Sequence, residues 1–383
     1  MQIWKNNFKT LMIFLAVCTV SRIVSAEEIT VIKIGFAAPL TGPAAPNGED
    51  VMHGVALAIE EANAKRIKIA GRTAQFKLIS EDDAGDPRTA TTVAQRLVDA
   101  NVAVVIGHYN SGTSIPASRI YAQAGIPQIS PSATNPTLTS QGFSSVFRVL
   151  NSDSTLGRYA GSYMVKDLKA KRIAVIDDRT AYGQGLADEV AKSIKKANGN
   201  LVVREFTNDK ATDFSSLLTS CKAANVDLVF FAGLDYQAAP MARQMRSLGM
   251  KAMFMNIGDL PNENFVKMAG NAAEGVYALN YGLPLLDMPK GAQFDKKLKQ
   301  KYGQGVLQYS PFAYDATWTA ITAMVNANSA EPAKFLSALK KVTFNGITGT
   351  ISFDARGELK NAAASVFQFK GGQWKTLAVK RSE

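Results

Sequence analysis

Short β-branched runs alternate along the chain with longer stretches in which apolar residues recur every three to four positions. The first pattern predicts strands and the second helices, and their regular succession predicts strand-helix-strand units around parallel sheets. Strand-like runs occupy 31–37, 75–80, 102–107 and 126–130, with helix-like stretches at 49–64, 88–100 and 113–124 between them. The rhythm restarts at about Asn151, with strands expected at 172–177, 201–206, 226–232 and 251–257 and helices at 183–196, 214–224 and 236–247. Two such series predict an α/β fold with two lobes. From about Leu283, helices at 294–302, 311–326 and 333–341 follow one another without a strand between them. They cannot build a third parallel sheet, so they must cover faces of the lobes already formed, and the chain must cross between lobes more than once. Near the end, Gly371-Gly372 flanked by alternating Phe367, Phe369, Trp374 and Leu377 predicts a hairpin.

Charge complicates this picture. A formal excess of +11 over 383 residues first suggests nucleic acid or an anionic surface as partner. The N-terminus removes part of that excess. Lys5 and Lys9 precede the apolar run from Leu11 to Val20, and Ile23-Val24-Ser25-Ala26 puts small residues where a signal peptidase reads them. Residues 1–26 are therefore expected to be a signal peptide cleaved after Ala26, ten apolar residues being short for a bilayer span. Cys18 is a weaker candidate for lipidation, because the bulky Val17 precedes it. Losing Lys5, Lys9 and Arg22 leaves +8, scattered in pairs such as Lys195-Lys196 and Lys340-Lys341, with no aromatic-and-basic stripe, so no nucleic-acid partner is expected. Cys221 is then the sole cysteine of an exported chain, which rules out an internal disulfide and suits a buried small hydrophobe.

Enzyme chemistry has no visible carrier. The chain has no GxxxxGK[ST] loop, CxxC, HExxH or GxSxG, and Tyr182-Gly183-Gln184-Gly185 starts like a dinucleotide fingerprint but has Asp188 at the third glycine position. His53 and His108 are the only histidines; His53 falls in a helix pattern and His108 could at most sit at a cleft edge near Ser111. What stands out is polarity at strand ends, where open α/β sheets bind ligands and helix N-termini offer free N–H groups. The strand at 102–107 runs into His108-Tyr109-Asn110-Ser111-Gly112-Thr113, and that at 126–130 into Pro131-Ser132-Ala133-Thr134-Asn135-Pro136. Hydroxyls and N–H groups together suit a small carboxylate, although Ser111 and Asn135 would also serve as helix caps and turn formers. In the second series Tyr182 stands at the mouth of a helix, where it could cover a ligand or be an ordinary surface aromatic. Asp259 stands at a strand's carboxyl end, placed to meet an ammonium group or to cap the helix starting near Asn262.

The runs IKIGFAAPLTGPAAPNGEDVMHGVALAIEEANA, DDAGDP, VIGHYNSGTSIPAS, GIPQISPSATNPTLT and RIAVIDDRTAYGQGLADEV resemble, in order and spacing, the periplasmic leucine/isoleucine/valine-binding protein family. These are type I solute-binding proteins of ABC importers, and the likeness spans the mature chain. It implies two doubly wound parallel-sheet lobes joined by three crossovers and closing on a ligand like a flytrap. Lobe 1 is expected to comprise 27–151 plus 281–350, and lobe 2 152–280 plus 351–383. By resemblance, Ser111 and Thr134 donate to the α-carboxylate of an amino acid. The Ser132 backbone meets the ammonium, and Tyr182 is the aromatic of the second lobe. Tyr109, Asn110 and Ala133 flank these positions. The family's acid for the ammonium falls on Gly258, one place before Asp259; two of its aromatics fall on Leu234 and Asn47, which leaves side-chain recognition open.

The resemblance thus implies a non-enzymatic, monomeric periplasmic receptor for a branched-chain or other apolar amino acid, with an ABC permease in the inner membrane as partner and no cofactor or metal. Other solutes of this fold (aromatic or aliphatic carboxylates, amides, urea) and a sensor ectodomain are the alternatives.

Overall fold

The computed structural model describes residues 28–381. The expected signal peptide, its cleavage point after Ala26 and Cys18 lie outside the described residues. The first sheet contains β1 (Ile29–Ala38), β2 (Lys68–Ile69), β3 (Arg72–Asp82), β4 (Val104–Gly107), β5 (Gln128–Ser130) and β6 (Val146–Arg148), in the order β2-β3-β1-β4-β5-β6. The second begins with β7 (Ile173–Asp177), β8 (Leu201–Phe206), β9 (Leu228–Ala232), β10 (Met253–Ile257) and β11 (Tyr277–Tyr281). After a two-stranded ribbon of β12 (Phe344–Asn345) and β13 (Thr350–Ile351), β14 (Ala363–Lys370) and β15 (Gln373–Arg381) complete it, in the order β15-β14-β11-β10-β9-β7-β8. The added hairpin turns at Gly371-Gly372, both with positive φ, and runs antiparallel on the edge. Strands β4, β5, β7 and β9 are buried on both faces, which is why they read as unbroken apolar runs rather than alternating ones.

Helices begin close to where the pattern places them because their caps are written in the chain. The Asp86 carboxylate accepts from the Thr89 N–H at the start of Pro87–Asp99, and the Thr180 hydroxyl accepts from the Gly183 N–H at the start of Ala181–Lys196. Strands β6 and β11 and the helix Asp153–Lys166 are additions to the sequence reading.

The late helices cover the first lobe. Helix Ser310–Asn326 lies along Ala45–Ala64, and the buried Asp50 carboxylate takes four N–H groups at its N-terminus, those of Leu307, Gln308, Tyr309 and Ser310, at 2.6–3.1 Å. At the crossing a Cβ on Gly54 would overlap the Ser310 carbonyl, so only glycine lets the two backbones approach this closely. Gly54→Ala gains about 1 kcal/mol of helix propensity. Overpacking against backbone costs about 1–3 kcal/mol, and a carbonyl in a capped helix end cannot swing away, so the upper part of that range applies. Urea unfolding is expected to show a midpoint lowered by a net destabilisation of about 1–2 kcal/mol, with an unchanged slope.

The chain passes between the sheets after β6, after β11 and before β14. The sequence division returns it to the second lobe at 350–351. Residues 353–359 nevertheless pack on the first sheet: the Phe353 and Phe147 rings are 4.9 Å apart, the Arg148 N–H donates to the Gly357 carbonyl, and Glu358 pairs with Arg148. We therefore place the third crossing near Asn361, because β6 recruits this segment as a neighbour that periodicity does not reveal.

Strand order now fixes where a ligand can go. The first sheet reverses direction of winding at β1, between β3 and β4, and the second between β7 and β9. Such switch points leave a crevice outside the carboxyl ends of the strands.

Candidate functional site

Loops from both switch points line a single cleft of about 520 Å³, within the range of small-molecule sites. The first lobe contributes Thr41, Pro43 and Ala44 after β1, Tyr109, Asn110 and Ser111 after β4, and Ser132 after β5. The second contributes Asp178 to Tyr182 after β7, and Leu234 and Tyr236 after β9.

The two hydroxyl-rich loops are tied together through Ser111. Its Oγ accepts from the N–H groups of Thr134 and Asn135, both at 3.2 Å, at the first turn of the helix Ser111–Gln123. The hydroxyl proton of Ser111 remains to be given to an acceptor in the cleft. Ser132 Oγ donates to the Tyr109 carbonyl at 3.0 Å, and the Ala133 N–H donates to Ser130 Oγ at 2.8 Å, so these two groups hold the loop while Ser132 lines the cleft. Asn110 is the N-cap residue of Ser111–Gln123 without a side-chain cap, and its Oδ1 is buried without a partner. Beneath, Arg148 is fully buried and grips the same loop, donating to the carbonyls of Ala133 at 3.1 Å and Asn135 at 3.0 Å.

Tyr182 lines the cleft, and its hydroxyl donates to the Ile257 carbonyl at 2.8 Å. Beside it stand Tyr281, at the end of β11, and Tyr309, just before Ser310–Asn326. Asp259 is 1% exposed and receives the Tyr309 hydroxyl at 2.9 Å and the Tyr109 hydroxyl at 3.3 Å. Burial, and next the charge of Asp235, hold its carboxyl well above the usual range. These bonds run from the first lobe to the second, as does that from Asn135 Nδ2 to the Ala181 carbonyl, so the lobes are closed on one another. Leu234 is the N-cap of the helix Asp235–Ser247. Asn47 is buried against Asp235 rather than open to the cleft.

Sequence reasoning missed one acid. Asp153, the first residue of Asp153–Lys166, is fully buried next to Thr134, and neither carboxyl oxygen has a well-formed hydrogen bond. Burial pushes it up to about 7, partly offset by Thr134 and by the charge of Arg148. Thr134 Oγ1 likewise has no well-formed hydrogen bond, and the Asp153 charge acts also on Tyr281 and Tyr182. The signal available was Asn151-Ser152-Asp153 ahead of an amphipathic run, a helix start at the first crossing.

His108 does not reach the cleft edge. It is fully buried, with Nδ1 2.7 Å from Asp83 and Nε2 2.9 Å from the Tyr121 hydroxyl, and Ser111 bonds to backbone instead, so no nucleophile-base pair forms there. His53 stacks on Tyr302. Among the described residues, no three His, Cys, Asp or Glu side chains are grouped to hold a metal ion, and no helix is long and apolar enough to cross a membrane.

A family profile described as periplasmic binding protein matches residues 31–373. A Leu/Ile/Val-binding protein homolog of Brucella abortus is 36% identical over 345 residues, covering 89% of this chain and 91% of that protein. Among solved structures, a leucine-binding protein from Thermotoga maritima superposes with a TM-score of 0.84 at 27% identity, covering 91% of this chain and 98% of the other. The branched-chain amino acid transporter substrate-binding protein of Streptococcus pneumoniae, in complex with isoleucine, gives 0.81 at 27% identity, covering 92% and 99%.

Proposed function

Because the chain belongs to the periplasmic binding protein family, we propose that it is the exported receptor of an ABC importer, taking a branched-chain or other apolar amino acid into the cleft between its lobes. The observation that carries this reading is the convergence, at one place, of a hydroxyl at a helix N-terminus and an unpartnered acid. Ser111 and Thr134 offer donors suited to a carboxylate, and Asp153 is an acceptor suited to an ammonium group, all on the first-lobe side and first crossing. An α-amino acid presents those two groups on one carbon.

Tyr182 and Asp259 come from the second lobe, so a ligand that touches them gains contacts only when the lobes close. That difference in affinity is what shifts a two-state equilibrium. The closed form then docks on a permease in the inner membrane, and the receptor acts as a monomer in the periplasm after cleavage near Ala26.

Leucine, isoleucine and valine at a hundred times their dissociation constants are expected to stabilise the protein by about 2.7 kcal/mol, an easily read thermal shift. Benzoate and urea serve as the contrasting solutes. Ser111→Ala and Thr134→Ala are each expected to weaken amino-acid binding about tenfold, the value of one charge-assisted hydrogen bond. A shift with benzoate or urea and none with any amino acid would replace this reading by that of another solute.

A further inference from the structure

A second cavity, of about 320 Å³, lies where the chain passes between the lobes, and no residue lines both it and the cleft. All three crossings form its wall, through Asn151, Gly282 and Asn361 in turn. Phe312 closes it from the first lobe, and Arg381, which pairs with Ala363 at the end of the terminal hairpin, closes it from the second. The Gly282 N–H donates to the Ala363 carbonyl and the Ser365 hydroxyl to the Gly282 carbonyl, both at 2.8 Å, so the second and third crossings are fastened together. Walls drawn from both lobes and every crossing cannot keep one shape while the lobes turn about those crossings.

The polar groups of this cavity favour an anion. Its lining holds no aspartate or glutamate, and its one charged residue, Arg381, is exposed and in no ion pair among the described residues. Asn151 is 3% exposed, and its Nδ2 is buried without a hydrogen-bond partner. A buried amide donor left unpaired is destabilising, and an acceptor held in the cavity beside it relieves that penalty. Leu150, Leu283, Phe312, Ile351 and Leu359 add an apolar wall. Apolar lining with a few placed polar groups is the composition of a small-molecule site.

We propose that this cavity is an effector site for a small carboxylate with an apolar tail. The carboxylate meets Arg381 and Asn151 Nδ2, and the tail lies against Leu150, Leu283 and Phe312. The cavity is formed with the lobes closed on one another, so an effector that fills it favours the closed form and raises affinity in the cleft. The coupling is reciprocal, and a ligand in the cleft tightens the effector by the same factor. That coupling rests on the amino-acid reading above; the site itself does not.

The test is calorimetric titration of the mature chain with octanoate, with and without saturating leucine, for the wild type, Arg381→Gln and Asn151→Leu. Octanoate is expected to bind the wild type, to bind about tenfold tighter with leucine present, and to bind about tenfold more weakly to each variant. Arg381 is exposed, so its replacement removes a charge without disturbing the core. No binding of octanoate to the wild type, or an affinity unchanged in both variants, would overturn the site. Displacement of octanoate by leucine would overturn it too, since the two would then share the cleft. A leucine affinity unaltered by saturating octanoate would overturn the coupling. Silence toward leucine in a folded wild type would overturn the amino-acid reading alone, and octanoate binding to Arg381→Gln would then decide the site by itself.

Discussion

Amino-acid affinity is expected to fall about tenfold for each pH unit below 7, reaching roughly a hundredfold loss at pH 5 relative to pH 8, and Asp153→Asn is expected to abolish that slope. Asp153 is enclosed with both oxygens lacking well-formed bonds, and burial pushes its carboxyl up to about 7 in the ligand-free protein. An ammonium group needs the ionised form. Below pH 7 the ligand must expel a proton, so titrations in buffers of different ionisation enthalpy should show about one proton released per ligand at pH 6. An affinity that is flat from pH 5 to 8 would remove Asp153 from the site.

The same group sets an opposite trend in the empty protein. Its folded pKa lies above the unfolded value near 4, so the native state holds a proton that the unfolded chain has lost between about pH 4 and 7. Its contribution to stability therefore declines as pH rises through that window and levels off above it. Asp153→Asn should raise the melting temperature of the ligand-free protein at neutral pH while weakening amino-acid binding about tenfold to a hundredfold, the loss of a charged partner. Greater stability with poorer binding cannot come from a damaged fold. If the slope persisted in the variant, a group other than Asp153 would be its source.

The fold was legible because its information is local. Strand-like runs at 201–206 and 226–232 and caps such as Asp86 and Thr180 each act over a few residues, and those runs reappear as β8 and, from Leu228, β9. Strand β6 was not legible, its three residues ending in the charged Arg148. Nor was the role of 353–359, which depends on a partner some two hundred positions earlier.

The site divides in the same way. Ser111, Thr134 and Tyr182 stand at strand ends where composition alone draws attention; Ser111 and Tyr182 line one cleft, and the Thr134 N–H meets Ser111 Oγ. Asp153 and Tyr281 stand beside crossings and Tyr309 just ahead of Ser310–Asn326, and that the two tyrosines line the cleft is decided by how the two lobes meet. Asp259 was singled out as an ammonium partner on the strength of its strand end. Its carboxyl is already taken by two tyrosines that no neighbouring sequence announces.

Arg148→Met is expected to destabilise the protein by about 3–5 kcal/mol, a large share of the stability of an ordinary domain. Arg148 is the largest side chain fully enclosed in the structure. It donates to the carbonyls of Ala133 and Asn135, to Thr139 Oγ1 at 3.1 Å and to both oxygens of Glu358, which also takes the Thr139 hydroxyl. Methionine fills much of the space but satisfies none of these acceptors, so the loop carbonyls and the Glu358 carboxylate lose their donors together. Lysine should rescue only part of the loss, because one ammonium cannot span groups that a planar guanidinium reaches at once. The double variant Arg148→Met with Glu358→Leu should cost clearly less than the two single changes combined, since the second removes the charge stranded by the first. Urea unfolding of the four proteins measures that coupling, and a loss under 1 kcal/mol for Arg148→Met would show that the loop holds without it. The loop in question carries Ser132 to Asn135, and Glu358 belongs to the segment leading into the third crossing. One buried arginine thus joins the loop carrying Ser132 to Asn135 to the segment before the third crossing, and on the amino-acid reading its loss should weaken ligand binding even where the protein remains folded.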